Sequence, residues 1–169
     1  MSENQPSDEP KAGDRDAARV RVFPPGIPLA IILISIGLNA VWPLDLGLAA
    51  LPWLRYGVGG GIIILSVYVF GFRAVSTMRK TGQSENPYKT MTEIVESGPY
   101  AVTRNPMYLQ MVLVCIGVAI LLSNAWTLLL TPACAALLHA LVIKPEEAYL
   151  ERKFGATYLA YKARVRRWI

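Results

Sequence analysis

The densest group of chemically capable side chains lies within residues 97–108, SGPYAVTRNPMY. Gly98-Pro99 predicts a fixed turn, and Pro106 is suited to the first turn of a helix. An arginine, an amide and two phenols gathered at the start of a helix could bind a charged small molecule. The same residue types also anchor helix ends at a membrane surface, and that alternative stays open. The four side chains are those of Tyr100, Arg104, Asn105 and Tyr108.

A second candidate is the carboxylate pair Glu146-Glu147, which follows Lys144-Pro145. Two adjacent carboxylates could bind a cation, but acidic residues also stabilise the first turn of a helix. Successive side chains diverge by about 100° around a helix, so we expect at most one of the two to face a given ligand.

The third candidate is His139, the only histidine in the chain. It lies seven residues before Glu146, so both would share a face of one continuous helix. We expect Pro145 to end that helix first, and a new helix to begin there and run to Phe154-Gly155. Cys115 and Cys134 are isolated and lack the spacing of metal ligands, so we expect neither a metal site nor a disulfide.

The elements that position these residues are predicted to be membrane helices. The chain of 169 residues is 53% hydrophobic and 17% charged, whereas soluble domains average about 25% charged residues. Between Arg104 and Lys144 lie 39 positions without Asp, Glu, Lys or Arg. That run would form roughly 58 Å of helix, enough for two crossings of a bilayer whose hydrocarbon core is about 30 Å thick.

We therefore predict an all-α, polytopic membrane protein with about four transmembrane helices. The uncharged run divides at its most polar point, Ser123-Asn124, and two further apolar runs precede it. In the second of these, Gly57 and Gly61 form a small-xxx-small pair suited to close helix packing. The predicted spans are residues 28–42, 56–72, 106–122 and 125–143.

The basic residues predict the orientation of these helices. Sixteen of the 17 Lys and Arg residues fall before the first span, between the second and third, or after the fourth; Arg55 is the exception. The positive-inside rule places both termini and the loop of residues 76–105 in the cytoplasm. The net charge of +5 then indicates attraction to an anionic lipid leaflet, and no nucleic-acid-binding motif supports another interpretation.

Two regions flank the predicted membrane core. Residues 1–22 are polar and mixed in charge, which predicts a disordered cytoplasmic tail before a membrane domain of residues 23–169. Near the other end, aromatic and apolar residues recur at helical spacing among basic ones, which predicts an amphipathic helix lying on the inner leaflet. Its predicted apolar face contains Tyr158, Tyr161, Val165 and Trp168.

Two motifs resemble a known family, the membrane methyltransferases related to isoprenylcysteine carboxyl methyltransferase and the phospholipid methyltransferases. That family has a Gly-Pro-aromatic turn followed by Arg-His-Pro-x-Tyr, which here reads Gly98-Pro99-Tyr100 and then RNPMY from Arg104. It also has a glutamate or glutamate pair after the last span, followed by Phe-Gly-x-x-Tyr-x-x-Tyr, which here begins at Phe154. The resemblance covers roughly residues 76–169.

The resemblance implies an enzyme that uses S-adenosyl-L-methionine as methyl donor and a small apolar or lipid-borne acceptor at the bilayer. It implies a cofactor site made of Tyr100, Asn105, Pro106, Tyr108, Glu146 and Glu147, with Arg104, Glu146 and Glu147 at the catalytic centre. A carboxylate can pair with the positive charge of the donor, and tyrosine rings can face its sulfonium. Methyl transfer chiefly requires alignment of donor and nucleophile.

Two departures from the family pattern bear on the substrate. Asn105 replaces the motif histidine, so it can form hydrogen bonds but cannot titrate. Carboxyl-methylating members carry an arginine shortly before the glutamate pair, where this chain has Val142-Ile143, so a thiol, a phenol or a lipid amine is as open as an isoprenylcysteine carboxylate. Two alternatives remain: a membrane reductase of the sterol-reductase type, and a non-enzymatic scaffold whose motifs only anchor helices.

Overall fold

The computed structural model describes residues 20, 22–48, 50–82 and 91–169. The predicted tail of residues 1–22 and Pro87, in the predicted loop, fall almost entirely outside this part of the chain. Over the described residues the fold is all-helical, and an isolated bridge between Asp45 and Asn124 is its one extended pairing. The helices are α1 (Gly26–Val41), α2 (Trp53–Lys80), α3 (Pro106–Leu122), α4 (Ala125–Phe154) and α5 (Ala156–Arg164).

Two of these helices are long and apolar enough to cross a membrane, namely α2 with 28 residues and α4 with 30. The apolar helices α1 and α3 are shorter, with 16 and 17 residues. Much of the outward surface is hydrophobic; Leu33 on α1 and Ile64 on α2, for example, are 59% and 72% exposed. Such a surface is typical of contact with lipid rather than water. Four crossings remain a prediction.

The helical hairpin predicted between residues 106 and 143 is present, and α3 has the bounds expected from the sequence. Pro106 begins α3, and Ser123 ends it with a left-handed backbone conformation at φ 52°. The Asn124 side chain then caps α4 by accepting hydrogen bonds from the backbone N–H groups of Trp126 and Thr127 at 3.0 and 3.4 Å. These caps explain why the uncharged run divides at Ser123-Asn124.

α4 corrects the expectation that Pro145 ends the fourth helix. The helix continues through Pro145 to Phe154, where Gly155 ends it with φ +50°. Proline lacks an N–H group, and its ring crowds the carbonyl one turn earlier. A π-helical turn over His139–Ile143 lies just before this point, and the wider turn accommodates the proline without a break.

α3 packs between α2 and α4, and α1 packs against α4. α2 and α3 approach each other closely at Gly59 and Gly117. A Cβ atom on Gly59 would lie 2.8 Å from the Leu121 backbone nitrogen and 3.0 Å from the Gly117 carbonyl oxygen. Gly57 and Gly61, the pair suggested by the sequence, face open space instead. Close packing therefore occurs on a different face of α2 from the predicted one.

The C-terminal region also differs from expectation. α5 ends at Arg164, and residues 165–169, which we call the C-terminal segment, follow in irregular conformation. Tyr158 and Tyr161 are buried in the protein, and Trp168 packs against the main core cluster. The side predicted to lie on the leaflet thus largely faces the molecule itself.

Candidate active site

The predicted site residues meet where the start of α3, the charged end of α4 and the C-terminal segment come together. We call this region the helix junction; it comprises residues 98–108, 146–147 and 161–167. The 3-10 turn Gly98–Ala101 places Tyr100 in a cluster with Ala74 and Met78 of α2. Gly98 is required there, because its φ is +60° and a Cβ atom would lie 2.9 Å from the Thr77 hydroxyl oxygen.

Glu147 is the most heavily paired side chain of the helix junction. Arg104 Nη2 donates to its Oε1 at 2.9 Å, while Arg167 Nε donates to Oε1 at 3.0 Å and Nη2 to Oε2 at 2.7 Å. Burial alone would raise the pKa of Glu147, but the hydrogen bonds from Arg167 and Arg104 outweigh it and hold that pKa below its usual value. With 6% of its surface exposed, Glu147 is an ionised, charge-compensated group inside the protein.

Arg104 ties the start of α3 to the end of the chain. Its Nη1 donates to the carbonyl oxygens of Lys162 at 2.9 Å and Val165 at 2.7 Å, and its backbone nitrogen donates to the Arg166 carbonyl at 3.0 Å. Its Nε is buried without a hydrogen-bond partner among the described residues. One guanidinium nitrogen therefore holds the end of α5 and the start of the C-terminal segment, while another pairs with Glu147.

Asn105 and Thr103 hold the same segment. Asn105 Nδ2 and Thr103 Oγ1 each donate to the Arg167 carbonyl oxygen at 3.0 Å. The Tyr161 hydroxyl donates to the Tyr100 carbonyl at 2.7 Å and secures α5 in the same way. The amide nitrogen of Asn105 is thus engaged with backbone.

Glu146 has a different environment from its neighbour. The Tyr108 hydroxyl donates to Glu146 Oε1 at 2.6 Å, and Tyr108 is buried while Glu146 is partly exposed. No ion pair to Glu146 occurs within the described part of the chain. Burial raises the pKa of Glu146 to about 7, with the hydrogen bond from Tyr108 opposing the rise and the charge of Glu147 adding to it. Because Glu146 has no ion pair among the described residues, its ionised carboxylate can accept a cation.

His139 begins the π-helical turn of α4, seven residues before Glu146 and on the apolar side of the helix junction. The imidazole is partly exposed, and its Nδ1 is buried without a hydrogen-bond partner in the described structure. Over the same residues, no group of three or more His, Cys, Asp or Glu side chains is arranged to hold a metal ion.

A family model described as phospholipid methyltransferase matches residues 54–157, well over half of the chain. The chain belongs to the phospholipid methyltransferase family. A protein of Haemophilus influenzae described as uncharacterized is 36% identical over 63 residues, which are 37% of this chain and 100% of that protein. No solved structure matches the chain.

Membership of the phospholipid methyltransferase family confirms the resemblance found in the sequence. It indicates an enzyme of membranes that transfers methyl groups to lipid-type substrates. The matched region runs from the start of α2 to the start of α5, so it contains both motifs and the α3–α4 hairpin that separates them. It stops before the C-terminal segment.

The structure of this phospholipid methyltransferase family member brings the predicted site residues together, but it divides them by environment. Arg104, Asn105 and Glu147 are engaged with each other or with the C-terminal segment, whereas Tyr108 and Glu146 form a partly exposed pair. Pro106 begins α3 and Tyr100 is buried under α5. Their contact with a methyl donor stays a prediction.

Sequence reasoning missed Arg167, which pairs with Glu147, as well as Thr103 and Tyr161. Arg167 belongs to a basic run that was assigned to the lipid surface, so its charge pointed away from the site. The hydroxyls of Thr103 and Tyr161 bind backbone carbonyls, and no sequence pattern marks such contacts.

Proposed function

We propose that this protein transfers a methyl group from S-adenosyl-L-methionine to a lipid-borne or small apolar acceptor at the membrane. The observation that carries the proposal is the contrast between two adjacent carboxylates. Glu147 is neutralised by two guanidinium groups, whereas Glu146 is partly exposed and accepts a hydrogen bond from one phenol. A cationic ligand therefore has one carboxylate available to it, beside a tyrosine ring.

The donor offers two positive charges, an ammonium and a sulfonium, and Glu146 suits the ammonium better. The sulfonium charge disappears during methyl transfer, so a carboxylate beside it would stabilise the ground state more than the transition state. Pairing with the ammonium is free of this penalty and fixes the position of the donor. Tyr108 orients the carboxylate through its 2.6 Å hydrogen bond.

The remaining motif residues then act by positioning. Arg104 and Asn105 hold the C-terminal segment against the start of α3, and Glu147 locks that arrangement through Arg167. Because Glu147 adjoins Glu146 on α4, the ion pairs of Glu147 also fix the backbone that presents Glu146. We assign Arg104 and Glu147 to positioning and Glu146 to donor binding.

The proposal includes a four-span topology with the helix junction at the cytoplasmic surface. α1 and α3 would span roughly 24–26 Å, a little less than the hydrocarbon core, and flanking residues would complete the crossing. The donor would then enter from the cytoplasm and the acceptor laterally from the bilayer. Reporter fusions at Gly82 and Asp45 should give opposite signals; matching signals would contradict this topology.

The acceptor proposed here has no carboxylate to be recognised. Val142 and Ile143 are fully buried apolar residues where carboxyl-methylating relatives carry an arginine. A lipid amine, a thiol or a phenol needs no such cation. The description of the family model, phospholipid methyltransferase, supports a lipid amine among these.

A binding titration in detergent tests the proposal directly. S-adenosylhomocysteine should bind the purified protein and raise its Tm, and NADPH at the same concentration should do neither. Binding of NADPH alone would favour a membrane reductase, and binding of neither would favour a scaffold. A screen of the three acceptor types with labelled donor would then identify the acceptor class.

A further inference from the structure

The contacts of His139, the one histidine of this chain, do not explain why a polar ring lies at this position. His139 lies in the π-helical turn His139–Ile143, between the apolar part of α4 and its charged end. Its Nδ1 is buried and unpartnered among the described residues. A buried polar atom without a partner destabilises a fold by about 1–3 kcal/mol and calls for an explanation.

Other polar side chains on the buried face of α4 do have partners. The Thr127 hydroxyl shares a 2.7 Å hydrogen bond with Ser35 of α1, and the Thr131 hydroxyl donates to the Thr127 carbonyl at 2.8 Å. The first contact holds α1 against α4, and the second is made within α4. Within the described part of the chain His139 makes no such contact, so its ring is not committed to holding helices together. π-helical turns within α-helices are also frequent at functional sites.

The position of His139 relative to Glu146 matches the length of the donor. Seven residues of helix separate the two, which is at most about 10 Å along the axis, because the π-helical turn within this stretch rises less per residue than an α-helix. From the donor ammonium, four single bonds of about 1.5 Å reach the sulfur, roughly 5 Å away. The methyl carbon and an attacking atom about 3–3.5 Å beyond it bring the total to roughly 10 Å.

The direction in which His139 is displaced from Glu146 along α4 also fits a lipid-borne acceptor. His139 lies on the apolar side of Glu146, where the acceptor would approach from the bilayer. Both residues are partly exposed, whereas Leu138, Val142 and Glu147 on the same helix are buried. An acceptor atom beside the imidazole would thus lie on the bilayer side of a donor held by Glu146.

We propose that His139 is a catalytic residue that takes the proton of the methyl acceptor. This inference rests on the proposed function. The proton on the nitrogen, sulfur or oxygen of the acceptor passes to a nitrogen of His139, and the electron pair left on that atom forms the new bond to the methyl carbon. The carbon–sulfur bond of the donor breaks, its electron pair stays on sulfur, and the sulfonium becomes a neutral thioether. The protonated imidazole must lose this proton before the next turnover.

The proposal restricts the acceptor class. A thiol, a phenol and the ammonium of a lipid amine all carry a proton that must leave, whereas an ionised carboxylate carries none. A base at His139 is therefore useful for the first three and superfluous for the fourth. This restriction agrees with the buried apolar pair Val142-Ile143, although it is drawn from a different residue.

The first experiment uses the fact that the chain has a single histidine, so that labelled histidine gives one NMR signal. S-adenosylhomocysteine lacks the transferred methyl group, whereas sinefungin carries an amine in its place. Sinefungin should shift the His139 signal more than S-adenosylhomocysteine does. If both ligands bind and neither moves the signal, His139 is far from the reacting carbon and the proposal is overturned. If neither binds, the proposed function itself fails.

The second experiment compares wild type with His139→Gln and His139→Ala, using dodecanethiol in micelles and phosphatidylethanolamine vesicles as acceptors. An N-acetyl-S-farnesylcysteine carboxylate serves as the acceptor without a proton. His139→Gln should lower kcat for thiol or amine by about 100-fold or more, while its affinity for S-adenosylhomocysteine stays within about twofold, in keeping with a group that acts only during proton transfer. Added imidazole should restore part of the activity of His139→Ala. The proposal is overturned if wild type and His139→Gln have equal rates. It is also overturned if wild type methylates the carboxylate alone, or none of the three acceptors.

Discussion

The two ends of the α3–α4 hairpin differ in how completely their polar groups are paired. At the turn, Ser123 Oγ donates to Asp45, Arg55 donates to the Leu121 carbonyl, and Asn124 is bonded to both α1 and α4. At the other end, in the helix junction and just before it on α4, the described residues give Glu146 one partner, the Tyr108 hydroxyl, and give none to Arg104 Nε or His139 Nδ1. The polar groups of the turn thus serve the fold, whereas Glu146 and His139 retain hydrogen-bonding capacity that a ligand could use.

The same contrast in pairing recurs within the helix junction, where Glu147 is paired with two guanidinium groups and Glu146 with one phenol.

The largest effect that we expect is a loss of stability in Glu147→Gln. The change leaves two guanidinium groups without their carboxylate; Arg104 is buried, while the Arg167 side chain is 34% exposed and can be rehydrated. We expect a loss of about 3 kcal/mol, the lower end for a broken buried pair. Denaturation in detergent would measure it, and a loss below about 1 kcal/mol would contradict the assigned ion pairs.

Glu146→Gln should have the opposite profile. It removes a charge-assisted contact worth about 1.5–3 kcal/mol, so affinity for S-adenosylhomocysteine should fall about 10- to 150-fold. The unliganded Tm should stay close to that of wild type, because no ion pair is broken. Calorimetric titration and a thermal melt of the same sample give both quantities. Unchanged affinity would remove Glu146 from the donor site.

The pH dependence of donor binding sharpens the comparison further. Burial raises the pKa of Glu146 to about 7, and only the ionised form pairs with the donor ammonium. Affinity for S-adenosylhomocysteine should therefore be greatest above pH 7 and about tenfold weaker at pH 6, because protonation then competes with binding. Glu146→Gln should abolish this dependence, and a wild-type affinity that is flat from pH 6 to 8 would contradict it.

The smallest effect is expected at the turn. Asn124→Ala removes the cap of α4 and should lower the free energy of unfolding by about 1 kcal/mol. Affinity for S-adenosylhomocysteine should not change, because the turn is at the opposite end of the hairpin from the helix junction. A loss of affinity without loss of stability would show that the two ends are coupled, contrary to their separate roles.

The sequence predicted the parts of this fold that depend on local chemistry. Residues 106–122 were assigned correctly because Pro106 begins a helix and a polar pair interrupts an uncharged run. Pro145 misled the prediction, because the π-helical turn that accommodates it has no residue-type signature. The glycine face of α2 was also misassigned, since Gly57 and Gly59 are equally small and only the packing of α3 distinguishes them.

For the candidate site too, the sequence predicted which residues gather but not how they pair. Two motifs indicated which residues would gather, and their side chains do lie at one junction. The division of labour between Glu146 and Glu147 could not be predicted, because it depends on Arg167. That residue lies in a basic run, and its partner is set by the backbone path of the C-terminal segment.

The hydrogen bonds of Asn105 and Arg104 to the C-terminal segment have a consequence for biosynthesis. Asn105 binds a carbonyl that is 62 residues further along the chain. At about 5–20 residues per second, the ribosome needs roughly 3–12 s to make that stretch. Both helices of the α3–α4 hairpin are synthesised within this interval, before the carbonyl groups of the C-terminal segment that Arg104 and Asn105 bind exist. The contacts of the helix junction are therefore completed only after the whole α3–α4 hairpin has been synthesised.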